Sequence, residues 1–378
     1  MKISVSSASG VESATKRELF NLGVEKAPAI NGRMTFEGDY ELLAKCNMYL
    51  STASRVFVVL SEFKCADFDT LFDNVYDIEW EKFIPESGAV IVKPKLVQSK
   101  LNAFSATQSI VKKAICERLK KAYKREFLPE TGDRFDVEVS ITRDYCYVLL
   151  NASGESLHRR GYRNVYGEAQ IKENLASAML ELSVWNPSRP LCDLFTGTGT
   201  IAIEAARKEK NIAPGLDRKF DFLNFKNFDF KIYEKIKSEA ISRISNDSAL
   251  KILAYDTDEK QLKLAKIHAK QAGVDDVIEF KNESMENFFS TEKRGVAFAN
   301  PPYGARLDER PFIEKLYRAY GKVRKNNPDW CFYTITPVSD FERLFGQRAD
   351  KKRKLYNGRI ECTFYAHLGK PVKIKPTD

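Results

Sequence analysis

Four consecutive residues, Asn300, Pro301, Pro302 and Tyr303, follow directly on the apolar run GVAFA. Such a run reads as a buried strand, and in parallel sheets ligands collect beyond the carboxyl ends of the strands. Proline fixes its own φ and restricts the residue before it, so this elbow is stiff. A proline nitrogen has no hydrogen to donate, which leaves nearby carbonyls to face a ligand. The Asn300 side-chain oxygen and the Pro301 carbonyl then present two acceptors to one planar amino group, and Tyr303 offers a ring for a flat base. This arrangement suits methyl transfer to an exocyclic amine. The lone pair of such an amine is delocalised into its ring. Two fixed acceptors favour a more tetrahedral nitrogen, so positioning and preorganised electrostatics replace a strong general base. Only three histidines occur, His158, His268 and His367, which fits that economy and argues against a His-rich metal site.

A methyl donor needs a second site, and DLFTGTGTIAIEAA provides a candidate. A short strand runs into Gly197 and Gly199 and then into a helix, and glycines there let backbone amides approach a ligand closely. Asp193, Phe195, Thr196, Gly197, Thr198, Gly199 and Thr200 form this candidate cofactor turn. The string also fits a dinucleotide fingerprint, which calls for an acid about twenty residues on, at the end of the next strand. Asp217 and Asp221 have the spacing but follow no apolar strand. Asp256 ends ILAY, so Asp256 and Thr257 are the candidates for ribose hydroxyls. Asp258 reads as a helix cap, with Gln261 as its capping-box partner. A nucleoside-bearing cofactor follows, but these residues alone do not separate NAD from S-adenosylmethionine. Asp193 tilts the balance, because a carboxylate beside the turn attracts an ammonium or sulfonium and repels a pyrophosphate.

The elements that must position these residues divide the chain. Residues 1–62 alternate short strands and helices as a small α+β unit. Residues 63–155 form a second α+β block, with a long amphipathic helix over 102–123 and a strand, RFDVEVSI, whose alternation predicts burial on one face. Residues 156–167 read as a polar linker. From 168 to 378 strands alternate with helices, which implies βαβ units and a mainly parallel sheet. Residues 207–250 interrupt that pattern with Phe220, Phe222, Phe225, Phe228, Phe230 and Tyr233, a set that packing explains.

Composition bounds the function. The chain has 378 residues, 43% of them apolar, enough for two or three domains. No apolar run is long enough to span a membrane, and the N-terminus has no secretory pattern. Seven scattered cysteines, without a CxxC pair, point away from disulfides and zinc and toward the cytoplasm. The net charge of +9 is concentrated: residues 91–130 hold ten Lys/Arg against three Glu, and residues 343–360 seven against one Asp. Clusters of this kind suggest a polyanion such as RNA, with Lys112, Lys113, Lys120, Lys121, Lys352 and Arg353 as contacts. The connector LHRRGYR adds Arg159, Arg160 and Arg163 beside Tyr162, groups suited to phosphates and bases.

LHRRGYR, DLFTGTGTIAIEAA, APGLDRKF, NPPYGARL and KLYNGRIECTFY together resemble the THUMP-domain RNA methyltransferases, and in particular the bacterial group that makes N2-methylguanine in large-subunit ribosomal RNA. The similarity covers essentially the whole chain. It implies a ferredoxin-like unit and an RNA-binding THUMP domain, followed by a Rossmann-like class I methyltransferase domain. It assigns Asp193, Phe195, Gly197, Gly199 and Asp256 to S-adenosylmethionine and Asn300 to Tyr303 to catalysis. Two departures stand out. The first block in the family often reads DPFCGSGT, where this chain has Leu194, Thr196 and Thr198. Many relatives place an acid on the cofactor adenine after the third strand, where this chain has Ser284, followed by Met285.

The reading that follows is a cytoplasmic, S-adenosylmethionine-dependent methyltransferase acting on a guanine N2 amine of large-subunit ribosomal RNA, free or within an assembly intermediate, without a metal. Adenine N6 methylation of RNA or DNA remains open, since both bases present a planar amine. Also open are methylation of a glutamine amide in a protein, an RNA-binding protein with an inactive methyltransferase domain and, more remotely, a dinucleotide oxidoreductase.

Overall fold

The computed structural model describes residues 1–30, 32–163, 170–245, 251–304 and 310–370. Two compact units emerge from the chain, and neither is continuous in sequence. The first comprises Met1–Ser7, Glu18–Leu157 and Arg218–Glu239, the second Ala8–Arg17, His158–Asp217 and Ala240–Asp378. Helix α1 (Glu12–Asn21) contributes residues to both.

The first unit is built on one sheet of β1 (Lys2–Ser7), β2 (Ala29–Ile30), β3 (Arg33–Glu37), β4 (Ala53–Lys64), β5 (Ala89–Val97), β6 (Arg134–Thr142) and β7 (Tyr145–Asn151), ordered β2-β3-β1-β4-β7-β6-β5. The small N-terminal block and the block after it share this sheet through β4, which pairs antiparallel with β1 on one edge and with β7 on the other. Helices α2 (Tyr40–Tyr49), α3 (Phe68–Tyr76) and α4 (Phe104–Tyr123) complete the unit. Asp39 and Asp67 start α2 and α3 by accepting the amides of Leu42 and Thr70 at 2.8 and 2.7 Å.

Strand β6 departs from the one-sided burial that its alternation predicts. Asp136 and Glu138, on its polar side, are buried too. The reason is charge pairing: Lys93 and Arg134 reach Asp136 at 2.5 and 2.6 Å, while Lys95 at 2.7 Å and Arg33 hold Glu138. The aromatic insertion packs as expected. Phe222 meets Phe228 edge-on at 4.9 Å, and Phe225 lies 5.9 Å from Phe83 and 6.4 Å from Phe135. Its rings therefore extend the core of the first unit, although their sequence neighbours on both sides belong to the second.

The second unit carries β8 (Leu191–Asp193), β9 (Ile252–Tyr255), β10 (Ile278–Lys281), β11 (Val296–Ala299), β12 (Cys331–Thr336), β13 (Lys351–Asn357) and β14 (Ile360–His367), ordered β10-β9-β8-β11-β12-β14-β13. The first five run parallel, and β14 pairs antiparallel with β12 and β13. Helices α5 (Glu173–Glu181), α6 (Thr200–Glu209), α7 (Phe230–Ser242), α8 (Glu259–Gln271), α9 (Arg310–Asn326) and α10 (Phe341–Phe345) follow in the chain, most of α7 belonging to the first unit. The central strands β8, β9, β11 and β12 are buried on both faces, which is why they read as apolar runs, whereas the edge strand β13 is exposed over Lys351–Lys354. Val296 and Phe298 of β11 enter a cluster with Leu175, Ile203 and Ile252, while Ala297 and Ala299 enter another with Tyr317, Tyr320 and Phe332. Burying a side chain such as Phe298 contributes roughly 1.5–3 kcal/mol. No helix among the described residues is long and apolar enough to cross a membrane.

Candidate active site

From β8 the chain proceeds outward to β9 and β10, then returns to place β11 on the opposite side of β8. This reversal opens a crevice beyond the carboxyl ends of β8 and β11, where open α/β sheets bind ligands. A cavity of about 490 Å³ lies there. It brings together the residues that the sequence separates most widely: Asp193, the glycine turn, Asp256, Ser284 and Asn300 to Tyr303 all line it.

The glycine turn connects β8 to α6. Gly197 and Gly199 have φ of +52° and +87°, the left-handed region that favours glycine. A Cβ on Gly197 would meet nothing within 4 Å, so backbone conformation, and not crowding by protein, selects glycine there. Gly199 sits behind the cavity wall as the N-cap of α6. Thr196 donates its amide to the Tyr255 carbonyl at 2.9 Å, tying the turn to the end of β9. Asp256 accepts the Gly197 amide at 2.7 Å and the Asp258 amide at 2.9 Å, so it shapes the turn as well as facing the cavity. Asp258 caps α8 by accepting from Lys260 and Gln261. His268 Nδ1 lies 3.3 Å from the Thr198 carbonyl, and burial lowers its pKa, so a neutral ring with its proton on Nδ1 braces the turn.

Asp193 is fully buried at the end of β8. Its Oδ2 accepts from the Thr196 hydroxyl at 2.9 Å, whereas Oδ1 is buried with no hydrogen-bond partner among the described residues; the backbone amides of Phe195 and Ala202 also face the carboxylate and favour its charge. Burial is the main reason that its pKa rises to about 7, and the negative charge of Asp256 adds to it. Glu283 and Glu286 add two more carboxylates to the lining, and no Lys, Arg or His lines the cavity among the described residues. Such a wall suits a cationic ligand and repels a pyrophosphate. The orphaned oxygen of Asp193 is a ready acceptor for an ammonium group, so the residues present fit S-adenosylmethionine.

The elbow after β11 is anchored from two sides. Tyr317 of α9 donates to the Pro302 carbonyl at 3.0 Å. Tyr303 donates its hydroxyl to Asn300 Oδ1 at 2.5 Å, and burial raises its pKa. An amide oxygen has two lone pairs, so Asn300 keeps an acceptor position while its orientation is fixed. Pattern reading gave Tyr303 only a ring; the hydroxyl contact is new, and three-residue spacing across two prolines does not reveal it. The GARL part of the NPPYGARL block lies outside the described residues beyond Gly304.

Ser284 and Met285 line the cavity, with Ser284 accepting from the Glu286 amide at 3.2 Å. Gln170, Gln261, Glu283, Glu286, Phe312 and Leu316 line it as well, and sequence reading gave none of them a ligand role. The acids flank the Ser284 and Met285 pair that was singled out, so the signal lay within two residues.

The connector LHRRGYR corrects one expectation. Arg160 and Arg163 are 1% and 5% exposed and Tyr162 2%, so they do not form an RNA-facing surface. Arg160 pairs with Glu204 of α6 at 3.3 Å, and Tyr162 donates to Glu204 at 3.0 Å. Arg163 pairs with Glu173 of α5 at 3.5 Å and donates to the Thr200 hydroxyl on the cavity wall. Their carboxylate partners lie on apolar-looking helices, which is why the connector looked solvated in sequence. Arg159, by contrast, is exposed.

The remaining basic candidates lie near or at the surface of their own units. Lys112 is partly buried and pairs with Glu130, Lys120 lies 3.3 Å from Glu117, and the exposed Lys113 and Lys121 sit over the rings of Phe72 and Tyr76. Lys352 and Arg353, on β13, are exposed; Lys352 lies 2.5 Å from Glu342, and Arg353 donates to the Gly10 carbonyl at 2.9 Å.

Three family models match the chain in order: an RlmL ferredoxin-like domain over residues 2–57, a THUMP domain over 65–151, and an RMKL-like methyltransferase domain over 160–366. YpsC of Bacillus subtilis (strain 168), named as a provisional RNA methyltransferase, is 39% identical over 363 residues, 96% of this chain and 94% of that protein. The ribosomal RNA large subunit methyltransferase K/L of Vibrio parahaemolyticus (serotype O3:K6) is 32% identical over 94% of this chain, which spans 51% of that longer protein. The crystal structure of SMU.472 complexed with SAH is 36% identical, covers 98% of this chain and 99% of its own, and superposes with a TM-score of 0.92.

Proposed function

We propose, since this chain belongs to the RMKL-like methyltransferase family with an RlmL ferredoxin-like domain and a THUMP domain, that it is an S-adenosylmethionine-dependent RNA methyltransferase whose target is the N2 amine of a guanine in large-subunit ribosomal RNA. One observation carries this reading: the anionic glycine-turn wall and the Asn300 elbow line a single cavity. The cofactor supplies an electrophilic methyl on a sulfonium. Asp193 and Asp256 would hold its cationic and ribose ends, with Thr196, Gly197, Thr198, Thr200 and Thr257 along its length and Phe195, Ser284 and Met285 around it.

Asn300 Oδ1 and the Pro301 carbonyl would accept the two hydrogens of the target amine and turn its lone pair toward the methyl. Pro302 keeps the elbow rigid, with Tyr317 holding its carbonyl. Tyr303 would fix the Asn300 amide through its hydroxyl and present its ring to the base. Basic residues of the THUMP block, Lys112, Lys113, Lys120 and Lys121, with Arg159, Lys352 and Arg353, would take phosphates in a cytoplasmic setting. Among the described residues no cluster of His, Cys, Asp and Glu is arranged to hold a metal ion.

The test is mass spectrometry of nucleosides from large-subunit ribosomal RNA incubated with the purified full chain and S-adenosylmethionine. N2-methylguanosine is the expected product. N6-methyladenosine would transfer the reading to adenine, and no product with either free RNA or immature ribosomal particles would remove it.

A further inference from the structure

We propose that Phe312 is a second aromatic contact for the target base, holding it from the α9 side of the cavity while the elbow holds its amine. This inference rests on the methyl-transfer reading above. Phe312 lines the cavity with Asn300 to Tyr303, yet it is 60% exposed. Its place on α9 explains both facts. Residues four apart share a helix face, so Phe312, Leu316 and Tyr320 form one stripe. Tyr320 is buried edge-on against Phe195 at 5.7 Å, and Leu316 packs partly into the same cluster. Phe312 is the outermost member, beyond the core and over the cavity mouth.

Its position relative to the elbow is fixed. Tyr317, five residues along α9, donates to the Pro302 carbonyl at 3.0 Å and shares a 3.0 Å hydrogen bond with Thr336 of β12. These bonds tie α9 to both the elbow and β12. Helix α9 follows β11, the strand that delivers the elbow, and its inner face shares a core cluster with Met285. Phe312 therefore lines the same cavity as Asn300 to Tyr303, where the target amine would sit. Tyr303 is constrained by its bond to Asn300, so Phe312 supplies the open ring surface at the mouth. A flat π-faced nucleobase is the occupant that suits such a ring, because stacking needs no hydrogen-bond partners.

The experiment compares wild type, Phe312→Ala, Phe312→Leu and Phe312→Trp under single-turnover conditions with large-subunit ribosomal RNA, alongside calorimetric titration of S-adenosylmethionine. Stacking on an aromatic supports a loss of about tenfold or more in the single-turnover rate at subsaturating RNA for Phe312→Ala. Phe312→Trp should recover to within a few-fold of wild type, and cofactor affinity should stay unchanged in both variants. Transfer by Phe312→Ala at the wild-type rate would overturn this inference alone. So would failure of Phe312→Trp alongside full activity of Phe312→Leu, since that pattern reports apolar bulk and not a π-face. A Phe312→Ala variant that loses cofactor binding would also overturn it. A wild-type protein that methylates no RNA would remove both this inference and the reading beneath it.

Discussion

Two groups of buried charges in the second unit answer the same physical problem in opposite ways. Around LHRRGYR, each buried charge named has a counter-charge: Arg160 meets Glu204, Arg163 meets Glu173, and Arg207 meets Asp217 at 3.1 Å. At the end of β8, Asp193 is equally buried, is met by neutral donors such as the Thr196 hydroxyl and by no cation among the described residues, and lies near the like charge of Asp256. Removing a carboxylate from water is costly unless a cation or donors replace the water. The first group has a protein counter-charge for each member and acts as architecture under α6, although burial raises the pKa of Glu173 and neither of its oxygens has a hydrogen bond among the described residues. The second has no protein counter-charge among the described residues, which is the reason for proposing that Asp193 holds the cationic end of the cofactor. Charge alone therefore does not identify a functional site; what matters is whether the protein satisfies it.

The sharpest way to break this contrast is to truncate each side. Glu204→Ala leaves Arg160 buried without its carboxylate and should cost about 3–5 kcal/mol of stability, read as a lower urea midpoint at unchanged slope. A loss below about 1 kcal/mol would mean that water already satisfies the pair. Asn300→Ala should reduce methyl transfer by roughly 100- to 1,000-fold, because its contact matters most as charge develops on the amine. Its cofactor affinity should stay within about twofold by calorimetry, because the contact proposed for Asn300 is with the target amine. Tyr303→Phe should show a smaller loss of turnover than Tyr303→Ala, yet a measurable one, since it frees the Asn300 amide. Identical rates for Tyr303→Phe and wild type would deny the hydroxyl any role.

Asp193→Asn supplies the opposite signature to Glu204→Ala: cofactor affinity down about tenfold or more, with the cofactor-free protein no less stable. The pH dependence follows from the sign of the shift. Its carboxyl pKa rises on folding from 3.8 to about 7, so the protonated acid is favoured in the folded state. The stability this provides is fully present below about pH 4 and is lost as pH climbs to about 7. A bound cation favours the ionised form. Cofactor affinity should therefore weaken about tenfold per unit as pH falls below 7, and Asp193→Asn should abolish that slope. A wild-type affinity flat between pH 5.5 and 8 would place the cationic end of the cofactor elsewhere.

The smallest effect concerns exposed charge. Lys120→Ala with Lys121→Ala should weaken RNA binding a few-fold at moderate salt and lower the slope of log affinity against log salt by about one to two. Arg160 offers no comparable experiment, since its substitution would act through folding. A salt slope unchanged by the double substitution would move the RNA contact off α4.

Legibility followed locality. The glycine turn, the proline elbow, the Asp258 cap and the parallel order of strands and helices are short-range patterns, and each was readable because backbone sterics act over a few residues. Even the pairing of Asp256 with the turn was visible, since a βαβ unit returns its second strand beside the first. Only the tertiary structure decided where side chains point. It turned Arg160 and Arg163 inward because Glu204 and Glu173 wait on helices that read as apolar, and it closed the polar side of β6 with Lys93, Lys95, Arg33 and Arg134. It gave the rings of 218–239 to the first unit, brought the Tyr303 hydroxyl to Asn300, and set Phe312 at the cavity mouth. These outcomes depend on partners dozens of residues away or on one rotamer among several. A sequence dictates which chemistry each residue carries, whereas the identity of its neighbour is settled only when the whole chain packs.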